Sequence, residues 1–300
     1  MAKTLRPAPH GDTQRDLFVP FVGDIPLKDG VELMDFAAFR LSKRHTNAGR
    51  VIRHELENGT VVEVAGGAYG MATIWDYDLV LMVISALAHA SQEWRKGNAE
   101  KPSRYYTPHT AEILKFCRRE DNGQAYDRLS EALNRLQGTF IKITTKDGTK
   151  RRDGYFPLLG GAEIVSHTAS GKIGSVRLAI PEWIYEAVTG HENPMILTIN
   201  PDFFLIRGGL ARFLYRYARK AAGRDTASIS LIKLHARSGG QGALKRFKFE
   251  MRKIVSENNL PDYHLELDGD ILRMTRREYL PKLAAKILED ATNQLRVNFD

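Results

Sequence analysis

The sequence predicts an α+β chain of tandem winged-helix domains, each a helix-turn-helix closed by a β-wing. Three observations predict it. Each half contains a long apolar-patterned helix followed by two further helices around a polar or glycine-rich turn. Each third helix leads into alternating strands joined at Asp147-Gly148 in the first half and Asp268-Gly269-Asp270 in the second. Helix, helix, turn, helix and two-stranded ribbon is the order of a winged helix.

Residues 1–30 hold Pro7, Pro9, Pro20 and Pro26 with little periodicity, and read as a mobile tail with one short apolar piece at Leu17-Phe18-Val19. The first domain is expected over 31–192. Arg50 to Val64 reads as a hairpin turning at Asn58-Gly59, a pair that tolerates positive φ. Thr73 reads as the N-cap of a central helix running to about Trp94, with Asp76 and Asp78 in its first turn. Thr107-Pro108 opens a second helix, with Thr107 as cap, and Asp121-Asn122-Gly123 breaks it. The third helix, Gln124 to Gln137, places Ala125, Leu129, Ala132, Leu133 and Leu136 on one face. A strand carrying Ile141 and Ile143 follows, then the basic return strand that forms the wing. Ser175 to Ile180 is a further strand, leading through Pro181 into a short helix.

Gly190 to Pro194 reads as the linker, and the second domain is expected over 193–300. There, Ile196 to Ile199 is a strand and Gly209 to Ala222 a helix ended by Gly223. Ser228 or Ser230 caps the next helix. A glycine-rich turn, Ser238 to Gly242, precedes a helix from Ala243 to Glu257. Tyr263 to Leu267 and Ile271 to Thr275 form a hairpin, and an amphipathic helix from about Pro281 to Leu295 closes the chain.

Composition narrows function. With 300 residues, 43% hydrophobic and 27% charged, the chain can fill and coat about two domains. A net charge of +8 favours a polyanionic partner. The longest apolar run, Leu79 to Ala90, is too short to span a bilayer, and the first residues lack an apolar signal segment, so a cytoplasmic, membrane-independent protein is expected. One cysteine, Cys117, allows neither an internal disulfide nor a cysteine-based zinc site, and reads as a small hydrophobe.

The helix 243–257 carries the most chemistry. Leu244, Phe247, Met251, Ile254 and Val255 form its buried stripe, and Lys245, Arg246, Phe249, Arg252 and Lys253 face away. Arginine reads guanine bidentately, lysine neutralises phosphate and phenylalanine touches a thymine methyl, so this face, with Gln241 in the preceding turn, is the candidate DNA-reading surface; the alternative is a solvated basic face. From Arg207 to Arg224 six basic residues and no acid occur, and Arg212, Arg216 and Arg219 lie opposite Leu210, Phe213, Leu214 and Tyr217. That stripe suits phosphate, unless acids elsewhere pair with it. The first domain's third helix presents Asp127, Ser130, Glu131 and Asn134, which phosphate would repel, whereas its wing carries Lys142, Lys146, Lys150, Arg151 and Arg152. The second domain is therefore expected to read bases, and the first to touch backbone through its wing and offer a protein-protein surface.

Other chemistries find less support. Asp76 and Asp78 could bind a metal, but serve equally as helix-start acids. Gly66-Gly67-Ala68-Tyr69-Gly70 lacks the lysine and hydroxyl of a phosphate loop. The histidines are scattered singly, and Tyr105, Tyr106, Tyr215 and Tyr217 sit at spacings usual for core or surface aromatics. No enzyme activity, cofactor or metal is expected.

Two segments carry a family likeness. Thr73-Ile74-Trp75-Asp76-Tyr77-Asp78-Leu79-Val80-Leu81-Met82 resembles the opening of the central helix in the replication initiator protein A family of bacterial plasmid initiators. Arg212-Phe213-Leu214-Tyr215-Arg216-Tyr217-Ala218-Arg219-Lys220-Ala221-Ala222-Gly223 resembles that family's second-half signature, and the similarity spans roughly residues 20 to 300. The resemblance implies a tandem winged-helix initiator that binds repeated double-stranded sites in its origin, helps open an adjacent AT-rich stretch and recruits the host initiator and helicase. It implies a monomer or homodimer on DNA, with the dimer repressing its own gene. A plasmid or phage transcription repressor shares every charge argument above, and a DNA-nicking enzyme is the third reading. A repressor needs no origin opening, and a nicking enzyme would leave a covalent tyrosine adduct.

Overall fold

The structure, a computed structural model, describes residues 25–43, 51–56, 59–147, 150–167, 171, 173–190, 193–240 and 242–285, with backbone alone for Lys146, Asp147 and Lys150. The chain mixes helix and sheet in two compact units, one drawn from Met1–Leu33 and Ala38–Leu205, the other from Met34–Ala37 and Ile206–Asp300. The expected tail lies mostly outside the described residues, as do Asn58, Gly148, Gln241 and the last helix beyond 285.

In the first unit, β1 (Lys28–Gly30) is followed by β2 (Val51–Glu55) and β3 (Val61–Ala65), which pair antiparallel as the Asn-Gly signal predicts. Their alternation puts Ile52, His54, Val62 and Val64 inside and Val51, Arg53 and Glu55 outside, the period of a half-buried sheet. The turn that follows depends on glycine. A Cβ on Gly66 would lie 2.4 Å from the Met71 amide nitrogen, and Gly70 has φ +84°.

Helix α1 (Tyr77–Arg95) is apolar nearly all round and buried from Tyr77 through Leu87. The expected cap is corrected: Asp76, not Thr73, stands at the N-cap position, and the two residues cap the turn before the helix reciprocally. The Thr73 amide donates to the Asp76 carboxylate at 2.8 Å, and the Asp76 amide to the Thr73 hydroxyl at 3.2 Å.

After β4 (Tyr105–Tyr106) comes α2 (Thr110–Phe116), where the expected cap is corrected. The residue in the capping position is His109, whose Nδ1 accepts from the Ala111 amide while Glu112 accepts from the His109 amide. Pro108 precedes the cap, and Thr107 stands a residue further out. Helix α3 (Gly123–Gly138) is capped by the Asn122 side chain, at 3.1 Å from the Ala125 amide.

Strands β5 (Phe140–Asp147) and β6 (Lys150–Pro157) were expected as a lone ribbon. They instead join β2 and β3 in an antiparallel sheet of order β2-β3-β5-β6. Alternation in Val61–Val64 gave β3 an apolar face without revealing its partner, and that partner is β5. A second hairpin, β7 (Gly161–His167) and β8 (Ile173–Ala179), follows, and β8 also pairs with β4 in a sheet of order β4-β8-β7. The unit ends with α4 (Glu182–Thr189) and β9 (Ile196–Thr198). Because β9 pairs with β1 and Phe204 packs 5.5 Å from Phe116, residues 193–205 belong here rather than with the second half.

The second unit runs α5 (Gly209–Ala221), β10 (Thr226–Ser230), α6 (Leu231–Arg237), α7 (Leu244–Glu257), β11 (Tyr263–Asp268) and β12 (Ile271–Arg276). Its sheet has the order β10-β12-β11, the same as β4-β8-β7 in the first unit. Helix, strand, helix, helix, strand, strand therefore occurs twice, with the β5–β6 hairpin inserted in the first copy. Phe213, Leu214, Tyr215, Met251, Tyr263, Leu272 and Met274 make the core. The segment Met34–Ala37 also belongs to this unit. The Ala37 amide donates to the Arg237 carbonyl at 2.9 Å, and the Asp35 carboxylate pairs with Arg237 and Lys220.

Candidate nucleic-acid interface

Helix α7 is held on one side and open on the other. Phe247 and Met251 are buried, with the Phe247 ring 4.9 Å from that of His235. Lys245, Arg246, Phe249, Arg252 and Lys253 are all exposed, as the 100° period predicts, and Phe249 keeps 68% of its surface in solvent. Arg246 and Lys253 make loose i,i+4 pairs with Glu250 at 3.1 Å and Glu257 at 3.9 Å. Exposed pairs of this kind are worth a few tenths of a kcal/mol (roughly 0.3–0.5), so the guanidinium and ammonium can turn to another anion cheaply.

Both ends of α7 are distinctive. Its N-cap, Ala243, supplies no side-chain hydrogen bond, and no acid occupies its first turn. Lys245 and Arg246 stand there instead, so the amides and the helix dipole add to positive charge rather than cancelling it. At the other end Asn258 adopts φ +44°. Its side-chain oxygen accepts from the Leu265 amide at 3.0 Å and its amide group donates to the Leu265 carbonyl at 3.4 Å, fastening the helix end to β11. Replacing Asn258 with alanine is expected to cost about 2 kcal/mol in urea unfolding, through the lost side-chain hydrogen bonds to Leu265 and to the His264 ring and a strained backbone. Glycine, which removes the same bonds but relieves φ, should cost less. Equal losses for the two variants would refute the backbone contribution.

The arginines of α5 need a correction. Arg212 and Arg216 were expected on an open face, yet they are 3% and 0% exposed. Arg212 Nε donates to the Ile206 carbonyl at 2.8 Å. Tyr215, between them, is equally buried and donates to the Asp262 carboxylate at 3.1 Å. Helix α5 is covered all round, so its polar stripe is an interior one. Arg219 is half-buried and Lys220 reaches Asp35, leaving Arg207 and Arg224, beyond the helix ends, as the exposed cations of this stretch.

In the first unit the basic hairpin is spread thinly. Lys142 is tied to Glu63 at 3.4 Å and lies 5.9 Å from the Tyr155 ring. Arg151 pairs with Asp153 at 3.2 Å, and Arg152 is exposed. The Thr144 hydroxyl, and then Arg151, hold the Asp153 carboxyl below its ordinary range. The side chains of Lys146 and Lys150 lie outside the description. Helix α3 exposes Asp127, Arg128, Glu131 and Asn134, while Arg135 turns inward.

Asp76 and Asp78 have structural work. Arg135 Nε and Nη2 grip Asp76 at 2.8 and 3.0 Å, and Arg119 Nη2 donates to Asp78 at 2.9 Å. Among the described residues no group of histidines, cysteines or carboxylates is arranged to hold a metal, and no helix is long and apolar enough to cross a membrane. Cys117 is buried. Tyr106 is buried too, and burial pushes its phenol well above the ordinary value. Sequence reasoning missed Lys248, Asn258 and Asp270. Asn258 alone had a usable signal, an asparagine directly after an amphipathic helix.

The model of the family described as replication initiator protein A matches residues 28–265. The chain belongs to the replication initiator protein A family. A protein of Wigglesworthia glossinidia brevipalpis described as "Putative replication protein" is 32% identical over 224 residues, covering 72% of this chain and 78% of that one. Two crystal structures of domains 2 and 3 of RctB share the fold at 14% identity. One has a TM-score of 0.56, over 82% of this chain and 98% of the other. The second has 0.51, over 76% and 90%. Membership in the initiator family assigns the chain a role in starting DNA replication.

Proposed function

We propose that this replication initiator binds specific double-stranded sites repeated in a plasmid origin, with α7 of its second unit laid in the major groove. The observation that carries this reading is the open face of α7: four exposed cations around an exposed phenylalanine, on a helix whose N-terminus is uncapped and basic. The exposed ring stands among cations, and a thymine methyl among phosphates fits both the ring and its surroundings. The order α5, β10, α6, α7, β11, β12 supports treating the unit as a winged helix, with α7 the reading helix and β11–β12 the wing. By the same order the first unit is a second winged helix whose wing is β7–β8. Its α3 carries acids where α7 carries bases, so this unit is assigned to phosphate contact through Arg151 and Arg152 and to contacts between proteins.

On this reading the chain works in the cytoplasm as a binding protein rather than an enzyme, without cofactor. It binds as monomer or homodimer, favours opening of adjacent DNA, recruits the host initiator and helicase, and represses its own gene.

The test is binding to an origin duplex and to a random duplex across a salt series, for wild type and Arg246→Ala/Lys253→Ala. Wild type should favour the origin by about a thousandfold or more, with a log-log salt slope of roughly −5 to −7 for six to eight phosphate contacts. The double variant should lose most of that preference. Equal affinity for both duplexes, unaffected by the substitutions, would refute base reading by α7.

A further inference from the structure

We infer that Asp270, acting through Lys248, is a positioning residue that sets the roll of α7 about its own axis. The inference rests on α7 being the reading helix. Five of the six basic residues or aromatics on the outer half of α7 point to solvent; Lys248, beside them in sequence, does not. Its ammonium meets the carboxylate of Asp270 at the tip of the β11–β12 hairpin. The Asp270 carbonyl meanwhile accepts the amide of Leu231, the first residue of α6, at 2.8 Å. One turn residue therefore touches both helices of the helix-turn-helix.

Geometry makes this contact consequential. Successive residues on a helix point about 100° apart, so Phe247 faces the core, Lys248 the hairpin and Phe249 the open side. The apolar contacts of Phe247 and Met251 resist separation of α7 from the core but have little directionality. A charge-assisted bond to a fixed turn is directional. With Asn258 clamping the far end of the helix to Leu265 of the same hairpin, α7 is fastened at two points to one rigid element. A helix free to roll by a fraction of a residue would keep its phosphate contacts, which long lysine and arginine side chains can readjust. It would lose alignment with base edges, which tolerate much less displacement.

Lys248 as a phosphate contact predicts the opposite pattern, which makes the inference testable. Full-length wild type, Asp270→Asn, Lys248→Met and the double variant are compared on origin and random duplexes across salt, well below their melting temperatures. Positioning predicts that each single variant lowers the origin-to-random ratio by roughly five- to tenfold with the salt slope unchanged, and that the double variant is no worse than either single one. The swapped pair Lys248→Asp/Asp270→Lys should regain much of the ratio, which a loss caused by misfolding would not. If Lys248→Met instead weakens both duplexes equally and makes the slope shallower by about 0.9, Lys248 is a phosphate contact and the inference fails. A wild type without origin preference refutes base reading itself, and the latch with it; a preference that survives every variant refutes the latch alone.

Discussion

Replacing Asp76 with alanine is expected to destabilise the first unit by about 3–5 kcal/mol, the cost of leaving a buried ion pair half-made. Asp76 is 4% exposed and accepts two hydrogen bonds from Arg135 and one from the Thr73 amide. Without it Arg135 keeps only the exposed Glu131, at 3.3 Å, and stands close to Arg40, which burial and the charge of Arg135 already press below its ordinary value. Asp76→Ala/Arg135→Met, which removes both charges, should recover part of the loss. All three tryptophans, Trp75, Trp94 and Trp183, lie in this unit, so their fluorescence in a urea titration reports its unfolding alone. A midpoint unchanged by Asp76→Ala would show that the pair contributes nothing.

The second large effect contrasts two phenylalanines two residues apart. Phe247→Ala should cost about 3–5 kcal/mol, since its ring is buried against His235 and the cavity left cannot refill. Phe249→Ala should leave stability within about 0.5 kcal/mol of wild type, because the ring is already in solvent. Amide hydrogen exchange in α7 and β11 separates the two, as the tryptophans are blind to this unit. On origin DNA the order reverses for variants that remain folded: Phe249→Ala should lose roughly tenfold, through the thymine contact. A comparable stability loss at both positions would mean that Phe249 is covered in the unbound protein.

The open face of α7 was legible in the sequence because a surface helix with one core side obeys the 3.6-residue period without interference. The same reasoning misplaced Arg212 and Arg216, since a helical wheel separates polar from apolar but cannot tell a polar face in water from one enclosed by neighbouring segments. Strand β10, Thr-Ala-Ser-Ile-Ser, was invisible because four small or hydroxylated residues around one isoleucine resemble a loop that ends in a cap, and Ser230 is indeed that cap. Strand β7 hid for another reason: a register shift between Ile164 and Ser166 breaks its alternation. Missing it made the β5–β6 hairpin look like the wing. Pairing between strands distant in sequence leaves no local trace, and the partnership of β3 with β5 is of that kind.

The short segment from Met34 to Ala37 has a consequence for the order of events during synthesis. Asp35 meets Arg237 across 202 residues of chain, so a ribosome adding about 5–20 residues per second delivers the two partners roughly 10–40 s apart. The Met34–Ala37 segment therefore stays without its partners until the second unit emerges, and that unit is completed by chain made long before its own continuous stretch. A fragment beginning at Ile206 would leave Lys220 and Arg237 without Asp35, and the buried site of Met34 unfilled. The natural seam for dividing this protein is not a single cut.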